Sequence, residues 1–245
     1  MNFNRDFEDR RVNTALGALH YKHHKGDGKS LVFLHGFGAS VLSWKRAMEL
    51  LPGDYNVYLI DLLGHGLSDA PEIDYTVKAQ VEALWELFEQ ENLSGFYLIG
   101  HSYGGWIAAY YASKYAVGGL VLEDAPGLKE AFDQIVAANR VEEFKSTFFK
   151  LSMEFSGNKD YVMKSILDSD FREDQLTDEI LAEITEPTLI IWGSRDIMLS
   201  PENAKIFKSK IKNSSIRIIS GAGHTGHFTH PQEFIDYILG FVEKF

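Results

Sequence analysis

A serine, a carboxylate and a histidine, the three groups that together carry out nucleophilic acyl transfer, each sit in a glycine-bearing stretch of this chain. Gly100-His101-Ser102-Tyr103-Gly104 has the form G-x-S-x-G, whose glycines relieve crowding around a sharply bent backbone and lift the serine hydroxyl clear. Ser102 is therefore the candidate nucleophile. Further along, Asp196 closes Trp192-Gly193-Ser194-Arg195-Asp196 as the candidate carboxylate, and His224 closes Gly221-Ala222-Gly223-His224 as the candidate base. Upstream, His35-Gly36-Phe37-Gly38 leaves backbone N–H groups unpaired where glycines permit close approach, so the Phe37 N–H is a candidate oxyanion donor. His35 is read as the residue that holds this loop by a local hydrogen bond.

Elements must place these groups together. Phe96 to Ile99 is a short apolar, β-branched and aromatic run, and small residues recur from Gly104 to Ala112 at helical spacing, so a strand turns directly into a helix at Ser102. The start of that helix offers unpaired N–H groups and the positive end of its dipole to an oxyanion. Ser30 to Leu34, Tyr55 to Ile60, Gly118 to Leu122, Pro187 to Trp192 and Ile216 to Ile219 are further strands by composition. Leu42 to Leu51, Tyr75 to Asn92, Pro201 to Lys210 and Pro231 to Phe245 have helical spacing, and Val12 to His20 begins a pair of edge strands. Alternating strands and helices predict an α/β fold with a mostly parallel central sheet flanked by helices.

From Leu128 to Glu186 no strand-like run occurs. Phe132, Phe144, Phe148, Phe149, Phe155, Tyr161 and Phe171 recur at helical spacings instead, which predicts a small helical cap at 127–186 inserted between core segments 1–126 and 187–245. Such an insertion lies above the strand C-terminal ends, where ligands bind in open α/β sheets. Most of these aromatics are expected to be core of a helical layer, with one or two facing the pocket.

Composition excludes several classes. With 24 Lys and Arg against 35 Asp and Glu, the formal net charge of -11 repels nucleic acid and anionic lipid headgroups. Cysteine is absent, which removes disulfides, thiolate catalysis and thiolate metal sites. No apolar run reaches the length of a membrane span and Met1 to Val12 has no signal-peptide core, so a cytoplasmic address is expected. His20, His23 and His24 alternate along an edge strand and are read as a solvated edge rather than a metal cluster, while turn chemistry accounts for Asp61 and His65.

The order serine, acid, histidine, each after a strand, resembles that of the α/β-hydrolase superfamily, in particular its compact capped members related to carboxylesterases. The resemblance rests on His35 to Gly38, the Asp61 to Ser68 turn, Gly100 to Gly105, Trp192 to Asp196 and Gly223-His224. It implies a catalytic triad of Ser102, Asp196 and His224, an oxyanion hole of the Phe37 and Tyr103 N–H groups, and no metal or organic cofactor. Glu123 or Asp124 is the alternative acid, since some relatives place it after the strand that follows the nucleophile; Asp196 is preferred because Trp-Gly-Ser-Arg-Asp fits the commoner location. His227 and His230 follow His224 at three-residue intervals, and His227 is read as buttressing the loop rather than binding metal.

The expected function is hydrolysis of carboxylic esters with small to medium apolar acyl groups through an acyl-enzyme on Ser102. A serine nucleophile argues against haloalkane dehalogenases and epoxide hydrolases, which resemble this core but use aspartate. The alternatives are a carbon–carbon bond hydrolase or a menaquinone-pathway-type lyase on the same triad, and a non-catalytic ligand receptor. Trp106 stands where that lyase usually has arginine, and the cap's Arg140 and Arg172, which could bind a substrate carboxylate, are read as surface residues. The expected partner is a small-molecule ester.

Overall fold

The computed structural model describes residues 6–154, 157–170 and 174–245. Phe3, Phe155, Phe171 and Arg172 lie outside the described residues. The strands are β1 (Glu8–Thr14), β2 (Gly17–His24), β3 (Ser30–Leu34), β4 (Asn56–Ile60), β5 (Tyr97–His101), β6 (Gly119–Glu123), β7 (Thr188–Gly193) and β8 (Ser214–Ile219). They form one sheet in the order β1-β2-β4-β3-β5-β6-β7-β8, antiparallel at β1/β2 and β2/β4 and parallel from β4 onward. This is the α/β architecture, with a mostly parallel sheet flanked by helices, that the chain's alternation of strands and helices predicts. β8 starts before Ile216 because its parallel pairing with β7 begins at Thr188 opposite Ser214.

Both faces of the central strands are covered, which is why β3, β5, β6 and β7 read as continuous apolar runs. Val32, Leu34, Leu98, Leu120, Leu122 and Ile190 face one core, shared with the helices α2 (Val77–Gln90) and α3 (Tyr103–Ala112). Leu31, Phe33, Ile99, Val121 and Ile191 face the other, with Trp44 and the C-terminal helix Pro231–Val242. Strand alternation alone assigns each residue its side.

The stretch Leu42 to Leu51 is not one helix. A 3-10 turn over Val41–Trp44 precedes a short α1 (Lys45–Met48). The Ser43 N–H donates to the Ser40 carbonyl at 3.0 Å, closing a tight turn that drops Trp44 fully into the core.

The histidines of β2 also depart from the sequence-based expectation: His20 and His23 are buried, not a solvated edge. His20 Nδ1 lies 2.7 Å from Asp61 Oδ2 and its Nε2 2.9 Å from Asp9 Oδ1, while His23 Nε2 meets Asn56 Oδ1 at 2.8 Å. β2 is a second-row strand between β1 and β4, so its side chains pack under a neighbour on each side.

Between β6 and β7 the described residues form α4 (Lys129–Ala137), α5 (Val141–Met153), α6 (Asp160–Ser169) and α7 (Asp178–Ala182). Asn158 ties this segment to the loop after β3, donating from Nδ2 to the Gly38 carbonyl at 2.7 Å as well as to the Ser152 carbonyl of α5 at 2.6 Å. After β7 come α8 (Glu202–Lys210), β8, α9 (Gly226–Thr229) and α10, the helix Pro231–Val242.

Candidate active site

Ser102 occupies the turn between β5 and α3 with φ 50° and ψ -124°, a left-handed conformation that L residues adopt only at a cost. The surroundings enforce it. Ser102 N–H donates to the Glu123 carbonyl of β6 at 2.8 Å, and the Ser102 carbonyl accepts from Gly105 N–H at 2.7 Å and Trp106 N–H at 3.1 Å. The glycines follow from proximity: a Cβ on Gly100 would stand 2.3 Å from the Gly104 carbonyl oxygen, and one on Gly104 2.4 Å from that of Leu34. Helix α3 therefore lies on the strands at backbone contact, which only glycine permits.

His224 lies beyond β8 and Asp196 beyond β7, and the fold brings both to Ser102. His224 Nε2 is 2.9 Å from Ser102 Oγ, and His224 Nδ1 is 2.7 Å from Asp196 Oδ2. A carboxylate only accepts, so Nδ1 carries the proton and Nε2 is free to accept from the serine hydroxyl. Asp196 is itself held: its Oδ1 accepts the Met198 and Leu199 N–H groups at 2.8 and 2.9 Å.

The rival acids are occupied differently. Glu123 Oε1 accepts the His227 N–H at 2.7 Å and its Oε2 lies 2.8 Å from His227 Nδ1. Asp124 Oδ1 accepts the Gly193 N–H at 2.9 Å, and its Oδ2 is buried without a partner. Burial, together with the Glu123 and Asp196 charges, pushes the Asp124 carboxyl up to about 9, so it is neutral at pH 7.

The loop His35 to Gly38 is pinned by buried histidines. His35 Nδ1–H donates to the Gly36 carbonyl at 2.8 Å and its Nε2 accepts the Leu62 N–H at 3.1 Å. His65 Nε2 accepts the Gly38 N–H at 3.2 Å. Burial, reinforced by His35, lowers the His65 imidazole to about 3, which keeps it neutral and able to accept. Neither the Phe37 nor the Tyr103 backbone N–H donates to a protein acceptor among the described residues, and both residues border the same cavity as Ser102.

His101 is a contributor that the motif alone did not single out, because any residue satisfies its position in G-x-S-x-G. Its Nε2 lies 2.7 Å from the His224 carbonyl, so Nε2–H donates and fixes the backbone of the base. Burial, then the neighbouring His227 and His224, holds this imidazole well below its ordinary range.

Ser102 opens to two cavities. The larger, about 420 Å³, is bounded by Phe37, Phe148, Leu151, Met198 and Phe228 as well as His224. The smaller, about 40 Å³, is lined by Phe132, Phe144 and Phe148 together with Ser102 and Tyr103. Three aromatics of the segment between β6 and β7 thus line the cavity beside Ser102, where one or two were expected. Trp106 borders the smaller cavity and donates from Nε1 to the Asp174 carbonyl at 3.0 Å, and Arg140 is exposed and paired with Glu143.

His224, His227 and His230 do not share one ligand set: His227 faces Glu123 and His230 Nδ1 lies 2.9 Å from Thr229 Oγ1. Among the described residues, ligating atoms of His101, Glu123 and His227 do lie within 4.8 Å of one another, but both Glu123 oxygens already bind His227.

Residues 31–237 match the model of the alpha/beta hydrolase family. The chain belongs to that family. This α/β-hydrolase is 30% identical over 227 residues to Lipase 1 of Psychrobacter immobilis, covering 80% of this chain and 71% of the lipase. It is 27% identical over 227 residues to Lipase 3 of Moraxella sp. (strain TA144), covering 80% of this chain and 72% of that one. An esterase structure from Exiguobacterium antarcticum superposes with a TM-score of 0.81 at 22% identity, covering 95% of this chain and 98% of that chain, a likeness of fold. No helix among the described residues is long and apolar enough to cross a membrane.

Proposed function

We propose that this chain is a serine hydrolase that cleaves carboxylic esters of small to medium acyl groups through an acyl-enzyme on Ser102. The observation that carries the proposal is the continuous line Asp196 Oδ2, His224 Nδ1, His224 Nε2, Ser102 Oγ, with steps of 2.7 and 2.9 Å. Its similarity to two lipases supports an ester as the bond cleaved.

In this reading Ser102 Oγ attacks the ester carbonyl carbon as its proton passes to His224 Nε2. Asp196 holds the imidazole in the productive tautomer and stabilises the imidazolium. Negative charge develops on the carbonyl oxygen, which the Phe37 and Tyr103 N–H groups receive at the start of α3. The tetrahedral intermediate collapses with cleavage of the carbon–oxygen bond, and His224 returns the proton to the departing alcohol. Water then attacks the acyl-enzyme, giving its proton to His224, and Ser102 leaves with that proton as the acid is released. Helices α4 to α6 act as a cap whose Phe132, Phe144 and Phe148 shape the acyl pocket.

The test is hydrolysis of p-nitrophenyl esters of graded acyl length by wild type and Ser102→Ala. Turnover in the wild type alone is expected, with a loss of at least ~10³-fold in the mutant. Absence of turnover on every ester would overturn the proposal.

A further inference from the structure

The smaller cavity has one feature that an apolar acyl pocket does not need. Asp170, just beyond α6, borders it together with Tyr103, Trp106, Phe132 and Phe144, and Ser102 lines it as well. Asp170 is 8% exposed, and among the described residues no hydrogen bond reaches its side chain; Oδ1 is buried without a partner. Tyr103 lines the same cavity, and its hydroxyl is likewise buried without a partner. Gln80 approaches that hydroxyl while its amide holds Leu63, donating to the carbonyl at 2.9 Å and accepting the N–H at 3.0 Å. Asp174, the other nearby carboxylate, is engaged by Lys78, 2.5 Å from Nζ to Oδ1.

Buried polar groups are nearly always satisfied, so two unsatisfied ones on residues that line one substrate cavity mark a place where a ligand supplies the partner. We propose that Asp170 and the Tyr103 hydroxyl form a specificity site for a short acyl group bearing one hydroxyl or keto oxygen, bound with that oxygen at the closed end of the cavity. This rests on the esterase reading for the position of the scissile carbonyl at Ser102.

The partner's chemistry follows from the surroundings. Burial raises the Asp170 carboxyl well above the usual carboxylate range, with Lys145 opposing in part, and burial raises the Tyr103 hydroxyl well above its ordinary range. Both groups therefore present O–H donors, which suit an acceptor oxygen better than a cation. A cavity of about 40 Å³ holds only a few heavy atoms, which limits the chain to roughly the length of a butyryl group.

The experiment compares kcat/KM for p-nitrophenyl butyrate, 3-hydroxybutyrate and 3-oxobutyrate in wild type, Asp170→Asn and Asp170→Leu. Wild type should favour an oxygenated ester by ~10-fold or more, and Asp170→Leu should lower that preference by ~10- to 100-fold, because the substrate oxygen then meets an apolar wall. Asp170→Asn, which can still donate, should keep most of it. A preference that is the same in all three proteins, or a wild-type preference for an ammonium-bearing ester of equal length, would overturn the inference. Binding to Ser102→Ala separates this failure from failure of the esterase reading. Without any turnover, ethyl 3-hydroxybutyrate should still bind at least ~10-fold more tightly than ethyl butyrate, and equal affinity would refute the site.

Discussion

Glu123 and His227 are joined twice, by the His227 N–H to Oε1 at 2.7 Å and by His227 Nδ1 to Oε2 at 2.8 Å. Glu123 also offers its backbone carbonyl to the Ser102 N–H, so one residue at the end of β6 braces both the nucleophile turn and the loop that carries His224. Replacing it with alanine leaves a buried histidine and a buried backbone N–H without their acceptor. Glu123→Ala is expected to lower stability by ~3 kcal/mol and to reduce kcat more than KM, measured by denaturant unfolding and ester kinetics.

Asp196 and Asp124 stand at the ends of adjacent strands, and only Asp196 meets His224 in a hydrogen bond. Under the proposed mechanism Asp196→Asn should lower kcat by ~10⁴-fold without unfolding the chain, since the imidazole tautomer is lost while the shape is kept. Asp124→Asn should stay within about threefold of wild type. Equal losses in the two variants would mean that the acid is misassigned.

Asp124 makes a second prediction, on stability. Its folded-state value of about 9 lies above the ordinary 3.8, so between these the native state holds a proton that the unfolded chain has released. Stability contributed by this group is therefore lost as pH rises through that interval. Asp124→Asn cannot ionise, and its melting temperature relative to wild type should be higher at pH 8.5 than at pH 5. A difference that is constant with pH would show that the carboxyl is ionised when buried.

The His20–Asp61 pair has two pH limits. Burial opposes the charge on each, yet the Asp61 and Asp9 hydrogen bonds leave His20 raised above its ordinary 6.5, and His20, His35 and the Leu67 and Val41 N–H groups leave Asp61 below its ordinary 3.8. The His20 contribution is complete below 6.5 and is lost as pH rises through its raised value, while the Asp61 contribution is complete above 3.8 and is lost as pH falls through its lowered one. The melting-temperature deficit of Asp61→Asn should therefore be largest near pH 5 and shrink toward pH 9. Calorimetry across that range checks it.

Strand ends were readable because parallel strands buried on both faces leave unbroken apolar runs, and glycine and polar residues mark where each run stops. The sequence therefore places Ser102, Asp196 and His224 in loops that each follow a strand. The burial of His20 and His23 was hidden, since alternation assigns a residue to a face without saying what covers that face. His101 was hidden for another reason: its bond to the His224 carbonyl spans 123 positions of sequence. The burial of Asp170 and Asp124, each with an unpartnered carboxyl oxygen, likewise depends on what surrounds the group in three dimensions, and an aspartate in a string of letters looks solvated.

The left-handed backbone at Ser102 sets stability against function at one position. A glycine there would relax the turn, and Ser102→Gly should unfold at a higher temperature than wild type while losing the nucleophile altogether. Selection for thermal robustness alone would then erode the proposed chemistry first at its centre, so a screen for hardier variants of this chain has to score turnover in the same round.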